Sequence, residues 1–314
     1  MRDLRIVFMG TPDFAVAILD ALVKAKFNVV GVITASDKPA GRGQKIAESA
    51  VKKYALENKL NILQPTNLKS DEFIKELESL NANLQIVVAF RMLPKVVWKM
   101  PKYGTFNLHA SLLPDYRGAA PINWAIINGE TKTGVTTFFI DEKIDTGNII
   151  IQKEVEIGNT ETVGELHDKL MNIGSELVVE TVKQIEQNSV KTFKQSEIDE
   201  KPAPKIYSDT CKINWNDSLN NIYNLIRGLN PYPAAWTTLI NNNEEIKVKI
   251  YDVKKENIEH NFKTGTLITS KQEIKVSVTN GFLIINSLQL AGKRKMESKN
   301  LLNGFTFSEN AIMQ

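Results

Sequence analysis

Two polar side chains that could act together on one reacting group lie in the segment Phe106–Gly118. Asn107 and His109 stand two residues apart near the end of an apolar run. If residues 104–108 form a strand, both side chains project from one face, about 6.6 Å apart along the strand. An amide and an imidazole at this spacing can both form hydrogen bonds with one small polar group. A histidine among apolar residues is more often a hydrogen-bonded structural residue, so the surrounding sequence must decide between the two interpretations.

The segment lies among alternating predicted strands and helices. Apolar runs predict strands at residues 4–9, 27–34, 61–63, 84–89 and 104–108, and helical spacing predicts helices that begin near residue 14 or cover 48–58 and 70–80. This alternation predicts an α/β fold with a Rossmann-like, doubly wound and mostly parallel sheet. Ligands of such sheets bind beyond the carboxyl ends of the strands, which is where Asn107 and His109 lie.

The second half of the chain predicts a different architecture. Strands at 134–140 and 148–155 and a long helix over 166–185 complete the first part, after which the pattern loosens. A helix at 217–228 and five short strands between residues 235 and 290 predict a smaller, OB-like β-barrel. We therefore predict a catalytic domain at 1–188, a linker at 189–205 and a barrel domain at 206–314.

Composition limits the function classes. The chain has 314 residues, of which 42% are hydrophobic and 24% charged, as in soluble proteins with one or two cores. We expect a cytoplasmic protein because no apolar segment is long enough for a signal peptide or a membrane span. We also expect a monomer. The single cysteine, Cys211, excludes an intramolecular disulfide framework. Residues 205–314 carry 14 Lys or Arg against 10 Asp or Glu, which suits either weak contact with a polyanion or a solvated surface.

Two cofactor classes are not expected. Gly10 follows the first strand, but the Gly-x-Gly-x-x-Gly fingerprint is absent, which argues against a nicotinamide or flavin. The three histidines, His109, His167 and His260, are far apart in the sequence and lack the spacing of metal ligands. We therefore expect neither a metal site nor a dinucleotide cofactor.

Two basic segments are candidates for phosphate contact. In the loop at residues 34–46, positive side chains alternate with glycine and proline; they are Lys38, Arg42 and Lys45. A second cluster, Lys293, Arg294 and Lys295, follows the last predicted barrel strand. Cationic side chains on a loop can track phosphates, although both segments also fit an ordinary solvated surface.

An acidic turn supplies a third group for the Asn107 and His109 pair. Asp145 lies in the polar turn 141–147 between two predicted strands, where it could also serve only as a turn residue. An amide, an imidazole and a carboxylate suit acyl-type transfer through a tetrahedral intermediate. Ser111 lacks the Gly-x-Ser-x-Gly elbow of a covalent nucleophile, which favours direct attack by a substrate amine.

These motifs carry a resemblance. The segment Asn107-x-His109-x-Ser111-Leu-Leu-Pro-x-Tyr-Arg-Gly-Ala-Ala-Pro-Ile122, with Asp145-Thr-Gly147, resembles the formyltransferase family that uses 10-formyltetrahydrofolate. The resemblance extends over nearly the whole chain, through Phe8-Met-Gly-Thr-Pro-Asp-Phe-Ala15, Gly41-Arg-Gly-x-Lys45, Ile226-Arg-Gly-Leu-x-Pro-Tyr-Pro-x-Ala-Trp236 and Ala291-Gly-Lys-Arg-Lys-Met296.

The resemblance implies a donor, an acceptor and residue roles. 10-Formyltetrahydrofolate would be the donor cosubstrate, and the α-amine of methionine on initiator tRNA would attack its formyl carbon, with Asn107, His109 and Asp145 as the catalytic trio. The folate would contact Phe90, Leu93, Ser111, Leu112, Leu113, Pro114 and Asp141. Loop 35–46 would approach the acceptor stem of the tRNA, and the basic barrel would dock the tRNA.

Three residues depart from the family pattern. Arg91 stands where the family usually has glycine, Ala50 replaces a common proline, and Ala234 replaces the glycine of Pro-Tyr-Pro-Gly. Arg91 bears on the shape of the folate pocket and Ala50 on the exit from the basic loop. Rival activities are formyl transfer to glycinamide ribonucleotide or a sugar nucleotide, hydrolysis of the formyl donor, or RNA binding by an inactive relative.

Overall fold

The chain divides into two compact units. The computed structural model describes residues 1–40, 45–196 and 201–314. The first unit comprises residues 1–118, 134–155 and 167–202, and the second comprises 119–133, 156–166 and 203–314. Within the described ranges, no helix combines the length and apolarity that a membrane crossing requires.

The secondary structure follows the expected alternation and then changes to short strands. The helices are α1 (Asp13–Lys24), α2 (Ala50–Glu57), α3 (Asp71–Ser79), α4 (Lys95–Trp98), α5 (Pro121–Ile127), α6 (Val163–Glu186), α7 (Leu219–Gly228) and α8 (Ser298–Leu302), with one 3-10 turn at Asp209–Cys211. The strands up to the long helix α6 are β1 (Ile6–Gly10), β2 (Val29–Ile33), β3 (Lys38–Ala40), β4 (Lys45–Ala47), β5 (Ile62–Leu63), β6 (Leu84–Val88), β7 (Thr105–His109), β8 (Arg117–Gly118), β9 (Lys132–Phe139) and β10 (Ile149–Glu156). The later strands are β11 (Pro202–Ala203), β12 (Ala235–Asn241), β13 (Glu244–Glu256), β14 (Leu267–Thr269), β15 (Ile274–Val278), β16 (Gly281–Leu290), β17 (Met296–Glu297) and β18 (Ile312–Met313).

A mixed sheet forms the centre of the first unit. Among the described residues its strand order is β10-β9-β7-β6-β1-β2-β5. The β5, β2, β1, β6 and β7 strands are parallel, whereas β9 runs antiparallel to β7. The predicted Rossmann-like α/β fold is thus confirmed, with an antiparallel edge added to the parallel part.

Burial explains why these runs form the sheet. Every residue of β1 and of β6 is buried, as expected for central parallel strands that are covered on both faces. On one face, α1 contributes Phe14, Ile18 and Leu22, which recur at helical spacing and are buried. The strands at the middle of the sheet are therefore fixed by apolar packing on both sides.

The helix α6 approaches β7 closely. A Cβ built at Gly174 would lie 2.8 Å from a terminal methyl of Leu108, so a larger residue here would require that side chain to shift. Nearby, the hydroxyls of Thr137 and Thr181 form a 2.9 Å hydrogen bond between β9 and α6. Because Leu108 packs against α6, its neighbours Asn107 and His109 project from the opposite face of β7.

The second unit contains an antiparallel barrel. In the described ranges, its strand order is β14-β15-β16-β13-β12-β18, with β17 paired to β16. A bridge between Thr266 and Ile312 joins the two ends of this order. Alternate residues of β12 and β13 are buried, and α7 adds Ile222 and Ile226 to the same core. The predicted C-terminal β-barrel is thus confirmed, and β18, which the sequence did not predict, helps to close it.

Candidate active site

Strand β7 places Asn107 and His109 on one face, as the sequence predicts. Asn107 lies between Val87 of β6 and Phe138 of β9, and His109 lies beside Thr136. His109 is only 6% exposed, whereas Asn107 is half-buried. Within the described part of the chain, the Asn107 side chain has no hydrogen-bond partner, so its amide is free to bind a ligand.

The imidazole of His109 is held by a backbone carbonyl. Its Nε2 lies 2.8 Å from the carbonyl oxygen of Tyr116, an acceptor, so Nε2 carries the proton and donates. Tyr116 has a φ of +61° and is only 4% exposed, and its own N–H donates to the carbonyl of Lys201. The ring is therefore anchored through Nε2, which leaves Nδ1 to face Asp145.

Asp145 comes to His109 from a loop that folds back across the sheet. Strand β9 ends beside the beginning of β7, where the N–H of Ile140 donates to the Thr105 carbonyl at 2.8 Å. The loop then returns, and Asp145 Oδ2 lies 3.8 Å from His109 Nδ1. The loop has to fold back because β9 is antiparallel to β7, so β9 ends at the edge of the sheet opposite His109.

A backbone N–H also fixes the carboxylate. Gly118 N–H donates to Asp145 Oδ2 at 3.0 Å, so a backbone group from a segment distant in sequence binds the carboxylate. The separation of 3.8 Å from His109 Nδ1 suits an ion pair and is too long for a hydrogen bond. The Asp145 side chain is 15% exposed, so solvent would screen its attraction for a protonated His109 only weakly.

A buried glutamine that the sequence analysis missed holds the same loop. Gln195 is 6% exposed, and its Nε2 donates to the carbonyl oxygens of Asp145 at 2.9 Å and Gly147 at 2.7 Å. Its Oε1 accepts from Arg117 Nη2 at 2.6 Å and Nε at 3.2 Å. Gln195 lies in the loosely patterned segment 189–205, where no periodicity distinguishes it from solvated residues. The apolar residues of this segment, such as Val190 and Phe193, follow no regular period, although Phe193 pairs with Ile149 in the structure.

Hydrogen bonds order the loop that follows β7. Ser111 Oγ donates to the Asp115 carbonyl at 2.6 Å, and Thr136 Oγ1 donates to the Ser111 carbonyl at 2.6 Å. Gln152 Nε2 donates to the Leu113 carbonyl at 2.9 Å. The Leu113 side chain is buried in a cluster with Phe138 and Ile149, whereas Leu112 and Pro114 are partly exposed.

The loop after β6 forms an apolar wall. Phe90 and Ile140 are partly buried and pack with Leu93, which is 8% exposed. Arg91 points to another loop, where its guanidinium donates to the backbone carbonyls of Pro65 and Thr66. The departure from glycine at position 91 is thus accommodated by an exposed arginine that ties down the loop before α3.

Asp141 lies in the same turn as Asp145. Its exposed carboxylate accepts from the Lys143 N–H at 3.0 Å and from Thr146 Oγ1 at 2.7 Å. One of its oxygens thus shapes the turn. Among the described residues, no group of three or more His, Cys, Asp or Glu side chains is arranged to hold a metal ion.

The basic candidates fall into two sets. Lys38 is exposed on a β3–β4 hairpin that the sequence analysis treated as a flexible loop, and Arg42 and the Lys45 side chain lie outside the described residues. In the second unit, Lys293, Arg294 and Lys295 are exposed in the turn after β16, and Lys295 Nζ lies 4.5 Å above the Tyr251 ring.

The ends of the hairpin are tied to α2. Lys52 forms ion pairs with Asp37, just before β3, and with Glu48, just after β4, the latter at 2.8 Å. A hydrogen bond from Lys52, supported by one from Gln64, holds the pKa of Asp37 below its ordinary value. Lys52 thereby joins the residues on both sides of the basic segment.

This arrangement combines a free amide, an anchored imidazole and a carboxylate on one face of the sheet. Such a set can stabilise an oxyanion and move a proton while a nucleophile attacks a carbonyl carbon. The structure therefore brings the three predicted groups together, although Asp145 is separated from the other two in sequence.

Comparisons with known proteins identify a family. Residues 4–182 match the family model described as formyl transferase, and residues 205–306 match the one described as formyl transferase, C-terminal domain. Proteins named methionyl-tRNA formyltransferase are similar over almost their full length: that of Flavobacterium johnsoniae is 61% identical, with 99% of each chain covered, and that of Bacteroides fragilis is 54% identical, with 98% of this chain and 97% of the relative covered.

Solved structures share the fold. WlaRD, a sugar 3N-formyl transferase solved with dTDP and 5-N-formyl-THF, is 26% identical with a TM-score of 0.64, and the match covers 94% of this chain and all of the other. HypX from Aquifex aeolicus, solved with tetrahydrofolic acid, is 16% identical with a TM-score of 0.64, covering 96% of this chain and 47% of HypX. The second likeness shows the fold alone.

Proposed function

The chain belongs to the formyl transferase family and is an enzyme of that family; from this premise we propose that it formylates the α-amine of methionine carried by initiator tRNA, with 10-formyltetrahydrofolate as donor. Full-length relatives that bear the name methionyl-tRNA formyltransferase support this acceptor. The observation that carries the proposal is the convergence of Asp145 on His109, at 3.8 Å, on the face of β7 that also presents the free amide of Asn107.

The proposed reaction is direct attack by the amine. The amine nitrogen forms a bond with the formyl carbon, and the carbonyl oxygen becomes an oxyanion that accepts a hydrogen bond from the Asn107 amide. One lost donor of this kind costs about 3–4 kcal/mol in the transition state. Collapse of the tetrahedral intermediate breaks the bond from carbon to N10 of the folate. One proton leaves the attacking nitrogen and one is delivered to N10.

In this scheme, His109 and Asp145 stabilise charge and assist proton transfer. Because His109 Nε2–H is engaged by the Tyr116 carbonyl, Nδ1 is the nitrogen that faces Asp145, and we assign contact with the reacting group to the same nitrogen. When protonated, Nδ1–H donates to the oxyanion beside Asn107. Asp145 balances the imidazolium charge, keeps the ring oriented and assists removal of the proton from the attacking amine.

The proposed folate site uses the walls around this trio. The partly buried ring of Phe90, with Leu93 and Ile140 behind it, offers an apolar surface for the flat pterin. On the other side, the folate would contact the 111–114 loop and the carboxylate of Asp141. The loop residues are Ser111, Leu112, Leu113 and Pro114. Because the Leu113 side chain is already buried, Leu113 would contact the folate through its backbone.

Both units contribute to the proposed tRNA contact. Lys38, Arg42 and Lys45 would follow acceptor-stem phosphates, and Lys293, Arg294 and Lys295 would meet a second part of the polyanion. Other lysines of the barrel already lie over aromatic rings, such as Lys247 Nζ at 3.8 Å from the Trp236 centroid, which gives the barrel cationic and aromatic surface together.

A sugar nucleotide amine is the second candidate acceptor. It is favoured by one observation, the 26% identity to WlaRD over 94% of this chain. The higher identity to relatives named for methionyl-tRNA, over both units, favours tRNA. We keep residues 1–188 and 206–314 as the proposed catalytic and tRNA-docking domains; a monomeric state and a cytoplasmic location stay predictions.

The test is formyl transfer in a purified system. Incubation with 10-formyltetrahydrofolate and methionyl initiator tRNA should yield formylmethionine, whereas a dTDP-amino sugar should not be formylated. His109→Ala and Asp145→Ala should each lower the rate by at least about 100-fold while tRNA binding is retained. His167→Ala, a matched change at a half-exposed histidine outside the trio, should leave it unchanged. If only the amino sugar is formylated efficiently, the acceptor is the sugar nucleotide and not the tRNA.

The basic loop is tested separately. Arg42→Ala should raise the KM for charged tRNA and leave the KM for the folate donor unchanged, because the change removes a phosphate contact only. An unchanged KM for tRNA would remove Arg42 from the interface.

A further inference from the structure

Gln195 is a buried amide outside the proposed trio that joins three segments of the first unit. Its Nε2 donates to the carbonyls of Asp145 and Gly147, and its Oε1 accepts from the Arg117 guanidinium. The segments are the stretch after β7, the loop between β9 and β10, and the chain that follows α6. All four contacts fall within 3.2 Å, and the side chain is 6% exposed.

Only a neutral carboxamide satisfies this environment. Two carbonyl oxygens require a donor and a guanidinium requires an acceptor, and the amide supplies both from one planar group. A carboxylate at position 195 would still accept from Arg117, but would turn an oxygen lone pair toward the carbonyls of Asp145 and Gly147. An apolar side chain would leave the two carbonyls and the guanidinium without these partners.

The contact with Asp145 acts on the part of the loop that sets the carboxylate. Asp145 has a φ of +55°, a left-handed conformation that a non-glycine residue keeps only when its surroundings impose it. Gln195 holds the carbonyl of this residue, and Gly118 N–H holds its Oδ2 at 3.0 Å. One hydrogen bond thus fixes the backbone of Asp145 and another fixes its side chain.

We propose that Gln195 is a positioning residue for formyl transfer: its amide fixes the backbone of Asp145–Gly147 so that the Asp145 carboxylate stays at His109 Nδ1. The proposal rests on the function proposed above and deepens it. Gln195 does not touch the reacting atoms. It acts through Asp145, so its loss alters the rate of the chemical step and leaves substrate binding intact.

The test compares two substitutions at one site. Gln195→Glu keeps the acceptor for Arg117 and loses both hydrogen bonds to the carbonyls, whereas Gln195→Met loses all four hydrogen bonds at similar volume. We expect both to lower kcat by about 10- to 100-fold with each KM within about 2-fold of wild type, as for a misplacement of about 1 Å at a reacting group. If Gln195→Glu retains wild-type kcat, only the Arg117 contact matters and the proposal is overturned.

The matched control is Gln85→Met. Gln85 is also buried in the first unit, where its Oε1 accepts from Thr105, and among the described residues no hydrogen bond joins its side chain to the Asp145 loop. We expect wild-type kcat for this variant. An equal loss of kcat in Gln85→Met and Gln195→Met would point to general destabilisation and contradict a positioning role.

Hydrogen exchange gives a readout that does not depend on activity. The Gly118 amide donates to Asp145 Oδ2, so its protection reports whether the carboxylate is in place. We expect faster exchange of this amide in both Gln195 variants and no change in Gln85→Met. Unchanged Gly118 protection in the Gln195 variants refutes the positioning role. Failure of the wild-type enzyme to formylate methionyl-tRNA would instead refute the proposed function and leave this exchange test valid.

Discussion

Gly147→Ala should impair the reaction without touching any member of the trio. A Cβ built at Gly147 would overlap the carbonyl oxygen of Phe139 and lie 2.8 Å from its carbonyl carbon. The Cβ would lie 1.6 Å from that oxygen, whereas non-bonded heavy atoms in contact are normally about 3.5 Å apart, so the loop must move by more than about 1 Å. Asp145 stands two residues before Gly147 and would move with it. A shift of about 1 Å at a catalytic group costs on the order of 100-fold in rate.

The stability cost should be modest by comparison. Overpacking of this kind typically destabilises by about 1–3 kcal/mol, which leaves the protein folded at 25 °C if its stability is ordinary. Formylmethionine production under saturating substrates gives kcat, and urea unfolding of the same preparation gives the free energy of unfolding. We expect kcat to fall by about 100-fold while circular dichroism at 25 °C stays that of the wild type.

Gly304→Ala is the control for the added methyl group. No heavy atom lies within 4 Å of a Cβ built at Gly304, and its backbone is not in the left-handed region, so activity and stability should be preserved. Wild-type kcat in folded Gly147→Ala would refute the reasoning, because it would mean either that the loop absorbs the methyl group elsewhere or that the position of Asp145 does not limit the rate.

Three further predictions concern stability and reactivity. Ala50→Pro should raise the free energy of unfolding in urea by about 0.4–1 kcal/mol, since Ala50 is the first residue of α2 and Ser49 before it is extended; an equal or lower value would contradict this. Burial and a hydrogen bond to Asp20 raise the pKa of Tyr54 to about 12, so above pH 10 the unfolded chain loses this proton first and stability should fall; Tyr54→Phe should flatten that fall in pH-dependent unfolding, and an unaltered slope would exclude Tyr54. Burial raises the pKa of the Cys211 thiol, which is 2% exposed, so a disulfide reagent should react more slowly with the native protein than with the urea-unfolded chain; equal rates would show that the thiol is accessible.

The sequence predicted the parts of the site that depend on local pattern. The apolar run at 104–108 defined β7, and the period of two placed Asn107 and His109 on one face. The alternation of strands and helices predicted the sheet around them. These features follow from burial of consecutive residues, which the residue types reveal directly.

Other features depend on tertiary contacts that leave little trace in sequence. The approach of Asp145 to His109 requires an antiparallel β9 and a loop that folds back, and neither follows from composition. Arg91 reaches the carbonyls of Pro65 and Thr66 across two loops. The hairpin β3–β4 has strands of three residues each, too short for an alternation to be recognised.

Backbone conformation around the site shows why the missing information is tertiary. Ala89, Tyr116 and Asp145 have φ values of +47°, +61° and +55°, and neither alanine nor tyrosine is a residue type that would signal such a turn. Each such conformation costs about 1–2 kcal/mol in an isolated chain. For Tyr116 and Asp145 the structure supplies compensating hydrogen bonds, from His109 Nε2 to one carbonyl and from Gln195 Nε2 to the other. The side chains that orient the proposed site therefore also hold its backbone in place. His109 and Gln195 each have both roles.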